Sequence, residues 1–269
     1  MSDDIKQLRL RYPGKCALCG VAVAAGTRAG YDGVAKRVIC LDCLPLAQAL
    51  PLDPGTPGGS LDREYERRRK SREARVRGRF PRAGGLLLAL SGEPESTKAF
   101  ARGAEGERRL AARLEQPCGD DVLFLHNRQR GRSGRSGDID HIAVTASGVY
   151  VVDAKHYKDA KVTVRRTGGI VRSAREQLIV RGRDKTHLVE SLNKQYVAVV
   201  DAIGKHAAPV TALFCFVDAE LPIFETLTVG GVPVLTPRKT ARMLRGPGPY
   251  DDQTRRTIWE SLARRLPPA

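Results

Sequence analysis

Glu107, Asp140, Asp153 and Lys155 are the residues of this chain whose types and spacing could do chemistry together. Two of the acids lie in Gly137-Asp138-Ile139-Asp140-His141-Ile142-Ala143-Val144-Thr145-Ala146-Ser147-Gly148-Val149-Tyr150-Val151-Val152-Asp153-Ala154-Lys155, which reads as two strands joined at Ala146-Ser147-Gly148. Side chains alternate faces along a strand, so Val149, Val151, Asp153 and Lys155 share one side, and Asp140, Ile142 and Val144 share one side of theirs. If Val144 lies opposite Val149, then Asp140 faces Asp153, and directly opposed residues have Cβ atoms roughly 5 Å apart. Carboxylates so placed repel each other, and a divalent cation would remove that cost. Carboxylate oxygens with water are the ligand set Mg²⁺ prefers, and Lys155 points the same way. Asp138 is an alternative ligand, but its odd offset from Asp140 puts it on the opposite face.

A helix over about Ser96 to Leu114 supplies the third acid. Phe100, Ala104, Glu107, Ala111 and Leu114 follow 3–4 spacing, so Glu107 falls on the apolar face and Glu105 looks outward. Gly103 and Gly106 each cost a helix about 1 kcal/mol relative to Ala. They make sense if the helix backbone packs close to the sheet and brings Glu107 to the aspartates. Taken alone, Glu107 could equally be a solvated residue of an Arg-rich helix. Further strands are expected at Val122–His126, Lys161–Arg166, Gly169–Ser173, Gln177–Arg181, Val210–Val217 and Val232–Leu235. A helix from about Thr186 to His206 and two C-terminal helices, the last holding Trp259, complete a mixed α/β pattern from about residue 84 onward.

Cys16-Ala-Leu-Cys19 and Cys40-Leu-Asp-Cys43 form a second constellation, two C-x2-C pairs with twenty residues between them. Zinc takes four thiolates in a tetrahedron, and each pair supplies two. Gly20, Gly26, Gly30 and Gly33 suit the tight turns of a small ribbon. Disulfides compete with this reading, although an intracellular chain disfavours them. So small a module buries little, and a structural Zn²⁺ would supply most of its folding free energy, on the order of 10 kcal/mol. Whether the ribbon contacts DNA, RNA or a protein partner is open. Cys118 and Cys215 read as ordinary buried thiols.

Gly103-Ala-Glu-Gly-Glu107, Asp140-His141, Ser147-Gly148-Val149 and Asp153-Ala-Lys155 together resemble the nuclease-related domain (NERD) family, part of the PD-(D/E)xK, restriction-endonuclease-like superfamily. The resemblance covers roughly residues 97–240. It implies a mixed central sheet flanked by helices and Mg²⁺- or Mn²⁺-dependent phosphodiester cleavage. By position, Asp140 and Asp153 would bind the catalytic metal. Lys155 would orient or activate the attacking water, and Glu107 would complete the acidic cluster. Gln195, in Asn193-Lys194-Gln195, falls where related nucleases carry a glutamine. The departure is Asp153, where the family often has Glu; the shorter side chain changes how the metal would be reached.

These motifs divide the chain into a four-cysteine module (1–50), a Pro/Gly-rich and basic linker (51–85) and a NERD-like nuclease domain (86–269). The linker opens Pro51-Leu-Asp-Pro-Gly-Thr-Pro-Gly-Gly-Ser60. It continues through Leu61 to Arg79 with nine Lys/Arg against four Asp/Glu, which reads as a solvated helix or a disordered linker. The 269 residues carry a net charge of +16, with 34 Arg to 12 Lys. Such charge draws polyanions at long range, with nucleic acid first and DNA ahead of RNA. Arg128, Arg130, Arg132 and Arg135 lie in Asn127 to Gly137, read as a Gly/Ser-rich loop leading into Asp140, where they could grip phosphates. The same arginines also fit a solvated surface loop.

No phosphate-loop glycine pattern, kinase signature or G-x-S-x-G elbow is present, which disfavours nucleotide-driven motors and serine hydrolases. No apolar run approaches the ~20 residues of a membrane helix. The N-terminus, with Asp3 and Asp4, lacks a signal-peptide pattern, so a cytoplasmic protein without membrane partners is expected. The leading expectation is a metal-dependent DNA endonuclease. The alternatives are a non-catalytic nucleic-acid-binding protein and a zinc-ribbon interaction adaptor.

Overall fold

The computed structural model describes residues 5–17, 19–33, 36–45, 52–130, 137–168, 175–204, 208–223 and 225–269. Its centre is a six-stranded mixed sheet with strand order β13-β14-β12-β8-β7-β6. These strands are β6 (Leu123–Gln129), β7 (Asp138–Thr145), β8 (Gly148–His156), β12 (Val210–Val217), β13 (Leu227–Val229) and β14 (Val232–Leu235). β6, β7 and β8 form an antiparallel meander, and β12 then pairs parallel to both β8 and β14. The crossover from β8 to β12 runs through α4 (His187–Ile203).

Alternation along the strands makes both faces of this sheet apolar, so each needs helices to cover it. Ile142, Val144, Val149, Val151, Phe214 and Phe216 pack on one side against Leu192 and Val199 of α4 and Ile258 and Leu262 of α6 (Asp252–Arg265). Ala143, Val152, Leu213 and Cys215 pack on the other against Leu110 and Leu114 of α3 (Glu95–Cys118) and Ala241 and Leu244 of α5 (Pro237–Leu244). Cys118 and Cys215 are buried, and burial pushes both thiols up, Cys215 to about 12.

A small sheet of β9 (Val162–Thr167), β10 (Arg175–Val180) and β11 (Arg183–Asp184) stands beside the core, joined antiparallel throughout. The strand expected at Gly169–Ser173 falls on residues 169–173, outside those described. The short strand β13 was not among the expected elements; three residues carry too little alternation to be seen.

The four-cysteine region folds on its own small core. β1 (Ile5–Arg9), β4 (Arg28–Asp32) and β5 (Arg37–Ile39) form one sheet, and β2 (Gly14–Lys15) pairs with β3 (Ala22–Val23). Leu10, Val23, Ala29, Ile39 and Leu44 are buried with Cys16 and Cys40.

The charge-dense stretch forms α1 (Gly59–Arg79), followed by α2 (Gly84–Leu90). With no apolar stripe to bury, α1 is held by i,i+3 and i,i+4 pairs such as Glu64–Arg67, Glu64–Arg68 and Glu73–Arg77. Its first turn is anchored nonetheless: Gly59 is buried, and Leu61 lies against Gly103 of α3. Just upstream, the His126 N–H donates to the Pro54 carbonyl at 2.7 Å. No helix among the described residues is long and apolar enough to cross a membrane.

Candidate functional site

The β7–β8 hairpin is built as its hydrophobic pattern requires, with Val144 opposite Val149 and Ile142 opposite Val151. Regular pairing ends at His141 and Val152, one step before the aspartates. There the Asp140 side chain takes over: its Oδ2 accepts the Ala154 N–H at 2.9 Å. Asp153 is almost wholly buried, its Oδ1 against Lys155 Nζ and its Oδ2 accepting from Gln195 Nε2 at 3.0 Å. Gln195 reaches it from α4, on the face of the sheet that Asp153 shares with Val151. The oxygen of that amide, Oε1, is buried without a hydrogen-bond partner.

Glu107 comes from α3, on the opposite face, and reaches the same end of the hairpin. It is buried, and its Oε2 accepts the Gly58 N–H at 2.9 Å. Glu105, two residues earlier, is spent outside on Arg108 and Arg109. The glycines of α3 explain the approach. A Cβ on Gly106 would sit 2.4 Å from His156 Cβ on β8, so only glycine lets the helix come so near. Gly103 meets a different neighbour, the Leu61 side chain of α1 rather than the sheet.

Glu107, Asp140 and Lys155 line one open cleft of about 700 Å³, together with Arg102, Lys158 and Arg181. A larger groove of about 830 Å³, between α4 and the β12–β14 edge, holds none of the acids. Burial, and then the Asp140 charge, push Glu107 up to about 9. Burial, and then Asp153, push Asp140 up to about 7. Burial works against the charge on Lys155, but the adjacent Asp153 and Asp140 overcome it and hold the ammonium above its ordinary value. The site is therefore a desolvated group of acids with one lysine among them. No hydrogen bond among the described residues reaches Asp140 Oδ1 or Glu107 Oε1, and both residues line the cleft.

This acidic donor set suits Mg²⁺, which needs only one or two carboxylates beside its waters. The carboxylates are less tightly gathered than the cysteines. Among the described residues, Cys16, Cys19, Cys40 and Cys43 are the set of three or more potential ligands lying within 4.8 Å of one another. Cys19 Sγ and Cys40 Sγ are 3.7 Å apart, close to the edge of a tetrahedron with Zn–S bonds of about 2.3 Å. The Cys40 N–H donates to Cys16 Sγ at 3.3 Å, and crowding by the Cys40 and Cys19 thiols pushes Cys43 up to about 12. Four cysteine sulfurs gathered this closely are compatible with zinc, which takes four thiolates in a tetrahedron.

Residues 102–217 match the family model of the nuclease-related domain. Those residues are similar to a NERD domain. No curated protein and no solved structure matches the chain. The matched span contains Glu107, Asp140, Asp153, Lys155 and Gln195, and leaves out the cysteine module, α1, α5 and α6. The function the NERD domain implies is nuclease-related.

The basic loop needs correction. Arg128 was expected to face nucleic acid, yet it lies within β6 and is fully buried. Its guanidinium donates to the carbonyls of Leu266 at 2.5 Å, Ala263 at 2.7 Å and Asp53 at 2.8 Å. Burial lowers it to about 10. Arg128 ties α6 and the residue 52–58 segment to the sheet, and its full burial keeps it from a phosphate. Arg130 is half-buried beside Gly137, and Arg132 and Arg135 lie outside the described residues.

Spacing did not reveal two other features. Gly58 donates to Glu107 from 49 positions away, with its φ of 75° and the Ala104 oxygen 2.7 Å from where a Cβ would stand. The Pro-Gly-Thr-Pro-Gly-Gly run was the available hint. The second is the partner of His141: strand alternation already turns it away from Asp140, and there it pairs with His126, Nδ1 to Nδ1 at 2.8 Å, while His126 Nε2 meets Glu115 at 2.8 Å. Burial lowers both imidazoles, so the pair is a neutral packing element.

Proposed function

We propose that this chain is a metal-dependent endonuclease that hydrolyses DNA phosphodiester bonds in the cytoplasm. The observation that supports the reading is the meeting of Glu107, Asp140 and Lys155 in one cleft, with Asp153 buried against Lys155, inside a NERD domain. Asp140 and Asp153 would hold Mg²⁺ or Mn²⁺, with Glu107 Oε1 completing the acidic set. When bound, such an ion supplies charge neutralisation at the scissile phosphate and a more acidic water. Lys155 keeps a full positive charge at the cleft, where it orients the attacking water and offsets charge developing on the phosphate. Gln195 holds the Asp153 carboxylate and thereby its aim. Gly58 does the same for Glu107.

In this reading residues 1–50 form a module with a structural Zn²⁺, residues 51–85 connect it and residues 86–269 form the nuclease domain. The module's core of seven buried residues is small for independent stability, so the ion carries much of its folding.

The test is cleavage of supercoiled plasmid and of single-stranded DNA by the full chain, with Mg²⁺, Mn²⁺ or chelator. Metal-dependent cutting that Asp153→Ala abolishes is the expected result. Wild type and variant equally inert, while both bind DNA in a salt-sensitive way, would overturn the enzymatic reading in favour of a binding module.

A further inference from the structure

A second concavity, of about 980 Å³, lies between the C-terminal end of α3 and helix α5. Arg113 lines it from α3, and Arg238, Arg242 and Arg245 line it from α5 and its end; no acidic side chain does. Arg113 is shared with Asp218, at 2.8 Å. The other three arginines are exposed and take part in no ion pair among the described residues. Such a cluster of like charges is costly by itself, and a polyanion would offset it. Guanidinium forks match phosphate oxygens two at a time. The lining contains no aromatic ring on which a base could stack, so its chemistry addresses backbone rather than base.

The groove is aligned with the acidic cleft. Arg102, Gly106, Arg109, Arg113 and Gln116 recur at 4, 3, 4 and 3 residues and so form one face of α3. Arg102 and Gly106 line the cleft, and Arg113 and Gln116 line the groove. At 1.5 Å per residue the two ends are about 20 Å apart. That corresponds to roughly six phosphates along one strand of a duplex.

We propose that the arginine groove between α3 and α5 binds the phosphodiester backbone of nucleic acid, so that groove and acidic cleft together span about six phosphates along α3. The ligand class and the direction of the strand rest on the nuclease reading. The site itself lies outside the matched NERD span except for its α3 wall.

The experiment compares wild type with R238Q/R242Q/R245Q and with a control of equal charge loss on the opposite face, R256Q/R264Q/R265Q on α6. All are full-length. Binding to fluorescent 30-nucleotide single-stranded and duplex DNA is followed by anisotropy in chelator across a salt series, beside pelleting with phosphatidylserine vesicles. Cleavage is followed separately with Mg²⁺. Loss of three phosphate contacts weakens binding about 30- to 100-fold near 0.15 M salt and flattens the log–log salt slope by about 2 to 3. The control changes affinity less than about threefold, and kcat at saturating DNA is retained while KM rises. Equal losses in the groove and control variants would reduce the groove to general charge and overturn the proposal. So would unchanged DNA binding with vesicle binding lost. Should no variant cut DNA while the groove variant alone loses binding, the nuclease reading fails and the groove stands.

Discussion

Replacing Asp140 with Asn removes a charge that its buried, acidic surroundings tolerate poorly. The folded chain holds the Asp140 carboxyl at about 7, against an ordinary 3.8, chiefly by burial and then by the Asp153 charge. A raised folded pKa means that the folded chain binds this proton more tightly than the unfolded chain. The stabilisation is complete below about pH 4 and is lost as pH rises through about 7. The full difference corresponds to about 4 kcal/mol, at about 1.4 kcal/mol per pKa unit. Asp140 keeps part of its surface in water, so we take about half, ~2 kcal/mol. Asn retains an oxygen for the Ala154 N–H, so the change is electrostatic rather than structural.

In chelator at pH 8, Asp140→Asn should therefore raise the thermal midpoint of the NERD domain by about 4–8 °C. At pH 5 the wild-type residue is already protonated when folded, and the advantage should shrink to about a third. Mg²⁺ at about 10 mM should then stabilise wild type by about 1 kcal/mol, if it binds at millimolar levels, and leave the variant unmoved. Scanning calorimetry at both pH values with and without Mg²⁺ reads all three effects. A variant no more stable than wild type at pH 8, or equally favoured at pH 5, would refute the repulsion argument.

Other perturbations probe the same construction. Gln195→Ala should cost about 10- to 100-fold in activity and raise the Mg²⁺ concentration needed for half-maximal cutting, because Asp153 loses its one amide donor; an unchanged metal titration would exclude the positioning role. Gly58→Ala should destabilise by about 1–2 kcal/mol in urea unfolding, since φ is 75° and the new methyl group meets Ala104. Arg128→Ala should lower stability by about 3 kcal/mol, leaving two buried carbonyls and one partly buried carbonyl unpaired. At equal folded fraction it should leave DNA affinity unchanged, and a selective loss of DNA binding would restore Arg128 to the interface. Cys19→Ser should reduce bound zinc from one equivalent towards none and collapse the amide dispersion of the cysteine module, while the calorimetric transition of the NERD domain stays in place.

How much was legible depended on whether a signal was local. The two C-x2-C pairs and the β7–β8 hairpin were readable because thiolate geometry and strand alternation act over a few residues. The apolar pairs Val144–Val149 and Ile142–Val151 allowed one register, since a slip by one residue would turn both stripes to the wrong face. The 3–4 spacing of α3 likewise turned Glu107 inward. Only the tertiary structure decided what lay across long stretches of chain. Gly58 meets Glu107 across 49 positions, and Gln195 meets Asp153 across 42, because sheet and helix packing, not spacing, brings them together. It also withdrew Arg128 from the surface. In sequence Arg128 resembles Arg130, but three backbone carbonyls from distant segments converge on its guanidinium and make burial cheaper than solvation. Residue type and short-range period set which groups could act; long-range packing set which of them meet.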